Sequence, residues 1–197
     1  MWPWEHAAIG YLVYSLSCRA LGRRPGQLAT VAVLLGTQFP DLVDKPLGWG
    51  IGLLPSGQSL AHSLLVAVPV SAVVLVVAAV WDRRHGPTRP RTTVAAAFAV
   101  GYLSHLPGDV VYSALLGRGL NTDFLLWPLV PAGRAAPVDT VNYISELLAA
   151  FVSFLATPTG RLYLAGELGL LVLAVLVWRA DGYPGVRWLF SPGRTAR

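Results

Sequence analysis

The chain has 197 residues, 54% hydrophobic and only 13% charged, whereas an ordinary soluble domain carries roughly 25% charged residues; this excludes a water-soluble enzyme and makes it a membrane protein. Lys45 is the only lysine, so arginine supplies the rest of the basic charge, and the formal net charge of +5 falls in short clusters beside apolar runs. Such clusters orient a chain in a bilayer, and without a broad basic face no nucleic-acid partner is expected.

In chain order, Glu5 stands where a secretory signal would place positive charge, and residues 7–18 are interrupted by Tyr and Ser; no cleaved signal peptide is expected. Two helical segments follow at 6–21 and 28–39, separated by "RALGRRPG", and the second is short for a crossing of its own. Residues 60–81, "LAHSLLVAVPVSAVVLVVAAVW", hold no formally charged residue. At about 1.5 Å per residue they are long enough for a hydrocarbon core of about 30 Å. A span at 92–116 opens with "TTVAAAFAVGYLSHL" and meets Pro107-Gly108, where a kink or an unwound stretch is expected. "FLLWPLVP" at 124–131 is too short to span and contains Pro128, which suggests a re-entrant or interfacial piece. Residues 140–156 read as an amphipathic or partly inserted helix, and 161–179 as the last span before a basic tail. The expected fold is all-α: a polytopic transmembrane helical bundle of about five spans, formed as one membrane domain over 1–197. The lone Cys18 excludes an internal disulfide and a cysteine-rich metal site.

Orientation follows from the arginines. If the first two segments form a hairpin and the three later spans alternate, Arg19, Arg23, Arg24, Arg83, Arg84, Arg89, Arg91, Arg179, Arg187, Arg194 and Arg197 share one face. Only Lys45, Arg118, Arg134 and Arg161 lie opposite. The arginine-rich face is then cytoplasmic. In this topology His6, Asp41, Asp44 and His62 fall at the extracytoplasmic end. His105 lies about 20 Å along a helix entered from the cytoplasm, and Asp109, one turn on, shares its face.

A central Asp costs about 2.5–3.5 kcal/mol to insert, and ionisable groups inside a membrane mark functional sites. Imidazole and carboxylate together suit zinc, manganese or iron, and a bound cation offsets the burial of the carboxylates. The candidate metal ligands are therefore His6, Asp41, His62, His105 and Asp109, with Asp44 as a further ligand or as general base. Plainer readings exist for each residue alone. Asp41 and Asp44 suit a turn beside proline, His62 an interfacial helix start, His6 and Glu5 an exposed terminus, and His85 a cytoplasmic loop. Glu167 suits a partner of the site or of a neighbouring helix. Ser63 and Ser104 each adjoin a histidine, but adjacent helical residues diverge by about 100°, so neither is expected to be a nucleophile.

The ordered set of short motifs resembles a known family, the predicted membrane-bound metal-dependent hydrolases that include the LexA-regulated inner-membrane protein of enteric bacteria. The matching residues are His6, then "PDLVD" with Asp41 and Asp44, "GQSLAHS" ending at His62 and Ser63, "GYLSHLPGD" with His105 and Asp109, and Trp127-Pro128. The likeness covers about residues 1–130. Three positions depart from the family pattern. Gly57-Gln58 stands where the family has His-Arg, Ala61 where it has Thr, and the second aspartate follows the first by three residues instead of two. The first departure bears on which substrate is taken, and on whether the protein is active at all.

The resemblance and the residue pattern together imply a membrane-embedded hydrolase that uses a divalent metal, zinc first and manganese or iron otherwise. The expected substrate is a lipid or other amphiphile, with a phosphoester as the linkage. The expected location is the cell membrane, multi-pass, with the site on the extracytoplasmic side. The alternative is a non-enzymatic membrane protein, a metal binder, ion carrier or assembly factor built on the same residues.

Overall fold

The computed structural model describes residues 1–86, 91–117, 119–131 and 139–186. Six α-helices account for most of them: α1 Pro3–Ala20, α2 Gln27–Lys45, α3 Leu64–His85, α4 Arg91–Leu115, α5 Thr140–Leu155 and α6 Pro158–Ala180. A π-helical turn at Pro46–Gly50 and a short 3-10 turn at Asp123–Leu126 complete the set, with no strand among the described residues. The all-helical bundle expected from composition is what forms. Helices α3, α4 and α6 are long and apolar enough to cross a membrane, whereas α1 and α2 are not among them.

Helix ends follow ordinary capping chemistry. Ser63 accepts from the Leu65 amide to start α3, Thr157 accepts from Gly160 to start α6, and Asp82 accepts from the Arg91 and Thr92 amides where α4 begins. These side chains take up amide groups that have no partner within the helix.

Three expectations about helix extent change. Helix α2 runs to Lys45 with Pro40 inside it, so Asp41 and Asp44 belong to its last turns and not to a turn after it. Helix α4 is continuous through Pro107-Gly108, so no unwound stretch forms there. Helix α3 starts at Leu64, which leaves His62 in the strap leading into it.

The centre of the bundle is the packing of α2 against α4, with α1 and α3 flanking α4. This seam is close because it is built on glycine: a Cβ at Gly36 would lie 2.3 Å from the Phe98 carbonyl oxygen, and one at Gly101 would lie 2.1 Å from that of Val33. Small residues permit this backbone approach where lipid gives no hydrophobic drive to association. Around the seam, Tyr14, Ala29, Ala32, Val33 and Ala97 form one buried cluster, and Ala67, Tyr102 and Leu106 another.

Helix α6 lies outside this core against α1. Asp181, just past α6, accepts from Tyr11 Oη at 2.7 Å, Ser15 Oγ at 2.6 Å and Arg19 at 2.7 Å. At the other end of α1, Glu5 is buried and accepts from the Tyr163 hydroxyl and the Trp2 amide. Glu5 is thus not the solvated residue its terminal position suggests. Glu167 accepts from Trp4 Nε1, pairing helices and not joining the His/Asp site. The contact of Arg19 with Asp181, together with that of Gln27 with Gly185, brings the ends of α1 and α6 and the start of α2 to one face. This is the grouping that the arginine pattern predicts.

Candidate metal centre

The close seam fixes His105. It is fully buried, and its Nδ1 lies 2.7 Å from the Thr37 carbonyl oxygen. A carbonyl only accepts, so Nδ1 carries the proton and Nε2 turns a lone pair inward. His62 is held the same way from the opposite side, its Nδ1 donating to Asp44 Oδ2 at 2.8 Å. The two Nε2 atoms then face each other at 3.1 Å. Neutral imidazoles in these tautomers would set two lone pairs against one another, a clash that either a proton shared between the Nε2 atoms or a cation held between them relieves.

Two carboxylates close the cluster. Asp109 Oδ2 lies 3.4 Å from each Nε2. Asp41 Oδ1 lies 3.4 Å from His62 Nε2 and 3.9 Å from His105 Nε2. Asp41 Oδ1 is buried without a hydrogen-bond partner, while its Oδ2 accepts from Lys45 Nζ at 2.5 Å. Donors on one four-coordinate zinc, each about 2.0–2.1 Å from it, stand about 3.3 Å apart. The observed spacings, from 3.1 to 3.9 Å, bracket that separation; Asp41, His62 and His105 form one group whose donor atoms could hold a metal ion, and Asp109 Oδ2 adjoins both of its imidazoles.

His6 stands beside this set. Its ring stacks on His105 with centroids 3.7 Å apart and planes 9° from parallel. Its Nε2 is 3.2 Å from Asp109 Oδ1, on the carboxylate edge turned away from the other two histidines, and both ring nitrogens are buried without a hydrogen bond. The same Oδ1 is 2.5 Å from the Met1 amino nitrogen. His6, His105 and Asp109 form a second group whose donor atoms are close enough for a shared ion.

Asp44 has no exposed surface and its oxygens are fully engaged. Besides His62 Nδ1 they accept from the amides of Ser59 at 2.8 Å, Ala61 at 2.9 Å and His62 at 3.2 Å. It therefore shapes the 59–62 strap from behind the His62 ring. Gln58 Nε2 donates to Asp109 Oδ2 at 2.7 Å, and Tyr102 Oη donates to the Ala61 carbonyl at 2.7 Å. Ser63 Oγ donates to the Trp127 carbonyl at 2.6 Å, tying the Trp127-Pro128 loop to the strap.

All six residues singled out from sequence converge here. Glu167 does not join them, and His85 lies at the end of α3, stacked on Trp81. The Thr37 carbonyl and the Ser59 and Ala61 amides were not foreseeable, because backbone groups carry no residue-type signal. Gln58 was visible only as a departure from a motif.

Apolar helices that span a bilayer around a buried His/Asp cluster define a polytopic helical membrane protein. The chain belongs to the YdjM inner membrane protein family, whose model matches residues 1–183, well beyond the stretch that carries the motifs. No curated protein and no solved structure matches the chain.

Proposed function

We propose that the protein is a membrane-embedded metal-dependent hydrolase acting on a lipid or other amphiphile, with a phosphoester as the linkage cleaved. The observation that carries this reading is the pair of imidazole Nε2 atoms 3.1 Å apart, with the unpaired Asp41 Oδ1 beside them. Asp41, His62, His105 and Asp109 hold a divalent ion, zinc in the first instance and manganese or iron otherwise. When bound, such an ion supplies Lewis acidity and brings the pKa of water it holds to about 7.

The chain's own groups divide the remaining work. Asp44 orients His62 and fixes its tautomer, a role distinct from ligand or general base, because its oxygens already accept from the strap. Lys45 holds the outer oxygen of Asp41, and Gln58 donates to the inner oxygen of Asp109, Oδ2, which faces both imidazoles. His6, with neither ring nitrogen hydrogen-bonded, stays in the ligand pool through its group with His105 and Asp109. The site lies toward the extracytoplasmic side, a reading supported by the arginine distribution.

The alternative of an ion carrier needs polar groups leading to the opposite face. Residues 64–80 and 92–104 contain no Asp, Glu, His, Lys or Arg, which favours the hydrolase. The test is metal analysis of the purified wild type and a His105→Ala variant, with a screen of phosphoester and acyl-ester amphiphiles. Stoichiometric metal lost in the variant, with turnover lost alongside it, is expected. Metal without turnover of any substrate would favour a binding protein, and no metal in the wild type would overturn the proposal.

A further inference from the structure

We infer that the groove between α1 and α4 binds one acyl chain of an outer-leaflet amphiphile and presents its head to the His6 and Asp109 side of the cluster. The head's chemistry rests on the hydrolase reading above; the acyl site does not.

The groove has a volume of about 540 Å³. Ile9 and Val13, one turn apart, form one wall, and a single stripe of α4 from Val100 through Leu103 and Pro107 to Val111 forms the other. The one polar side chain among the lining residues is Ser104, whose hydroxyl is returned to the Gly101 carbonyl at 2.8 Å. The groove therefore offers an occupant no hydrogen bond and suits a hydrocarbon.

Its length matches one leaflet. From Val100 to Val111 the helix rises about 16 Å, about half of a 30 Å hydrocarbon core. A second apolar recess, along Val76, Val77 and Val80 of α3, ends at Arg84 and His85, away from the His/Asp cluster. The groove between α1 and α4 ends beside that cluster. At its outer end Gly108 is buried and lines it together with Met1. A Cβ on Gly108 would lie 2.8 Å from Met1 Sδ and 3.3 Å from His6 Nδ1. The bare glycine thus brings the end of the groove onto the His6 ring, with only the flexible Met1 side chain alongside. A chain lying in the groove has its head beside Met1, whose amino group pairs with Asp109 Oδ1, and next to the buried His6 ring behind Gly108.

The test uses full-length protein in nanodiscs and a palmitoyl lysophosphatidic acid analogue with a diazirine at mid-chain. Irradiation is expected to label peptides of α1 and α4 well above those of α3 and α6. Val13→Trp and Leu103→Trp fill the groove at positions 42% and 36% exposed, so both are tolerated by the fold, and each is expected to cut that labelling several-fold. Val73→Trp, on the flat face of α3, leaves it unchanged. Metal content stays at the wild-type level in all three. Labelling spread evenly over all lipid-facing helices of the wild type, or unchanged labelling in both groove variants, would overturn the acyl site. Because wild-type labelling alone is decisive, a variant that fails to fold does not rescue the idea. If labelling follows the groove while neither metal nor turnover is found, the acyl site stands and the hydrolase reading falls. If a butyryl substrate is turned over but groove labelling is absent, the reverse holds.

Discussion

Replacing Asp44 with Asn separates an orienting carboxylate from a catalytic one. In the wild type its Oδ2 receives His62 Nδ1 at 2.8 Å and the Ser59 amide at 2.8 Å, while Oδ1 receives the Ala61 amide at 2.9 Å. The asparagine oxygen best replaces the more heavily used Oδ2. The Ala61 amide keeps its longer bond to that oxygen, 3.1 Å in the wild type, while the asparagine NH2 faces the same N–H and is left as a buried donor without an acceptor. One buried donor without a partner costs about 1–3 kcal/mol, so the metal-free variant should be destabilised by about that amount in thermal unfolding. The bond to His62 also loses its charge assistance, which roughly halves such a bond. Loss of a carboxylate behind a ligating histidine weakens metal affinity about 10- to 100-fold, equivalent to about 1.4–2.8 kcal/mol. Chelator competition at fixed pH measures this directly, with Asp82→Asn at the far end of α3 as control. Metal affinity within twofold of wild type, with only turnover lost, would refute the orienting role and restore Asp44 as general base.

Gly101→Val should prevent the α2–α4 seam from closing, since a Cβ there lies 2.1 Å from the Val33 carbonyl oxygen; overpacking of about 1–3 kcal/mol or more should appear as loss of monodisperse protein on gel filtration in detergent. Asp181→Ala strands the Tyr11, Ser15 and Arg19 donors and should lower stability by about 1–3 kcal/mol in thermal unfolding, with metal content unchanged. A reporter fused after Arg84 should read as cytoplasmic and one inserted near Lys45 as extracytoplasmic; the opposite pattern would reverse the orientation of the site.

Much of the candidate site was legible because the bilayer makes its residues expensive. A histidine and an aspartate spaced by four in an apolar helix stand out against Ala, Val and Leu, and the arginine clusters said which ends of other segments would join them. The helical class and the three longest apolar helices followed from hydropathy and length alone. What escaped was geometry held by the backbone. Nothing in "QFPDLVDKP" says that α2 carries Pro40 and continues through Asp44, because proline more often ends a helix than rides inside one. The same rule made Pro107 look like a kink or an unwound stretch, yet α4 continues through it as helix. The burial of Glu5 depends on Tyr163, far along the chain, whose pairing no local pattern encodes.

The glycine seam has a consequence for biogenesis. The His105 ring reaches the Thr37 carbonyl because two backbones touch at Gly36 and Gly101, so sliding one helix by a single residue, about 1.5 Å, would take the ring off its anchor. The donors therefore do not exist as a set while the segments leave the ribosome one after another. They come together only when the fourth helix locks beside the second, so any ion this cluster held could enter only after that joint had formed, and a chain mispaired there would lack the donor set.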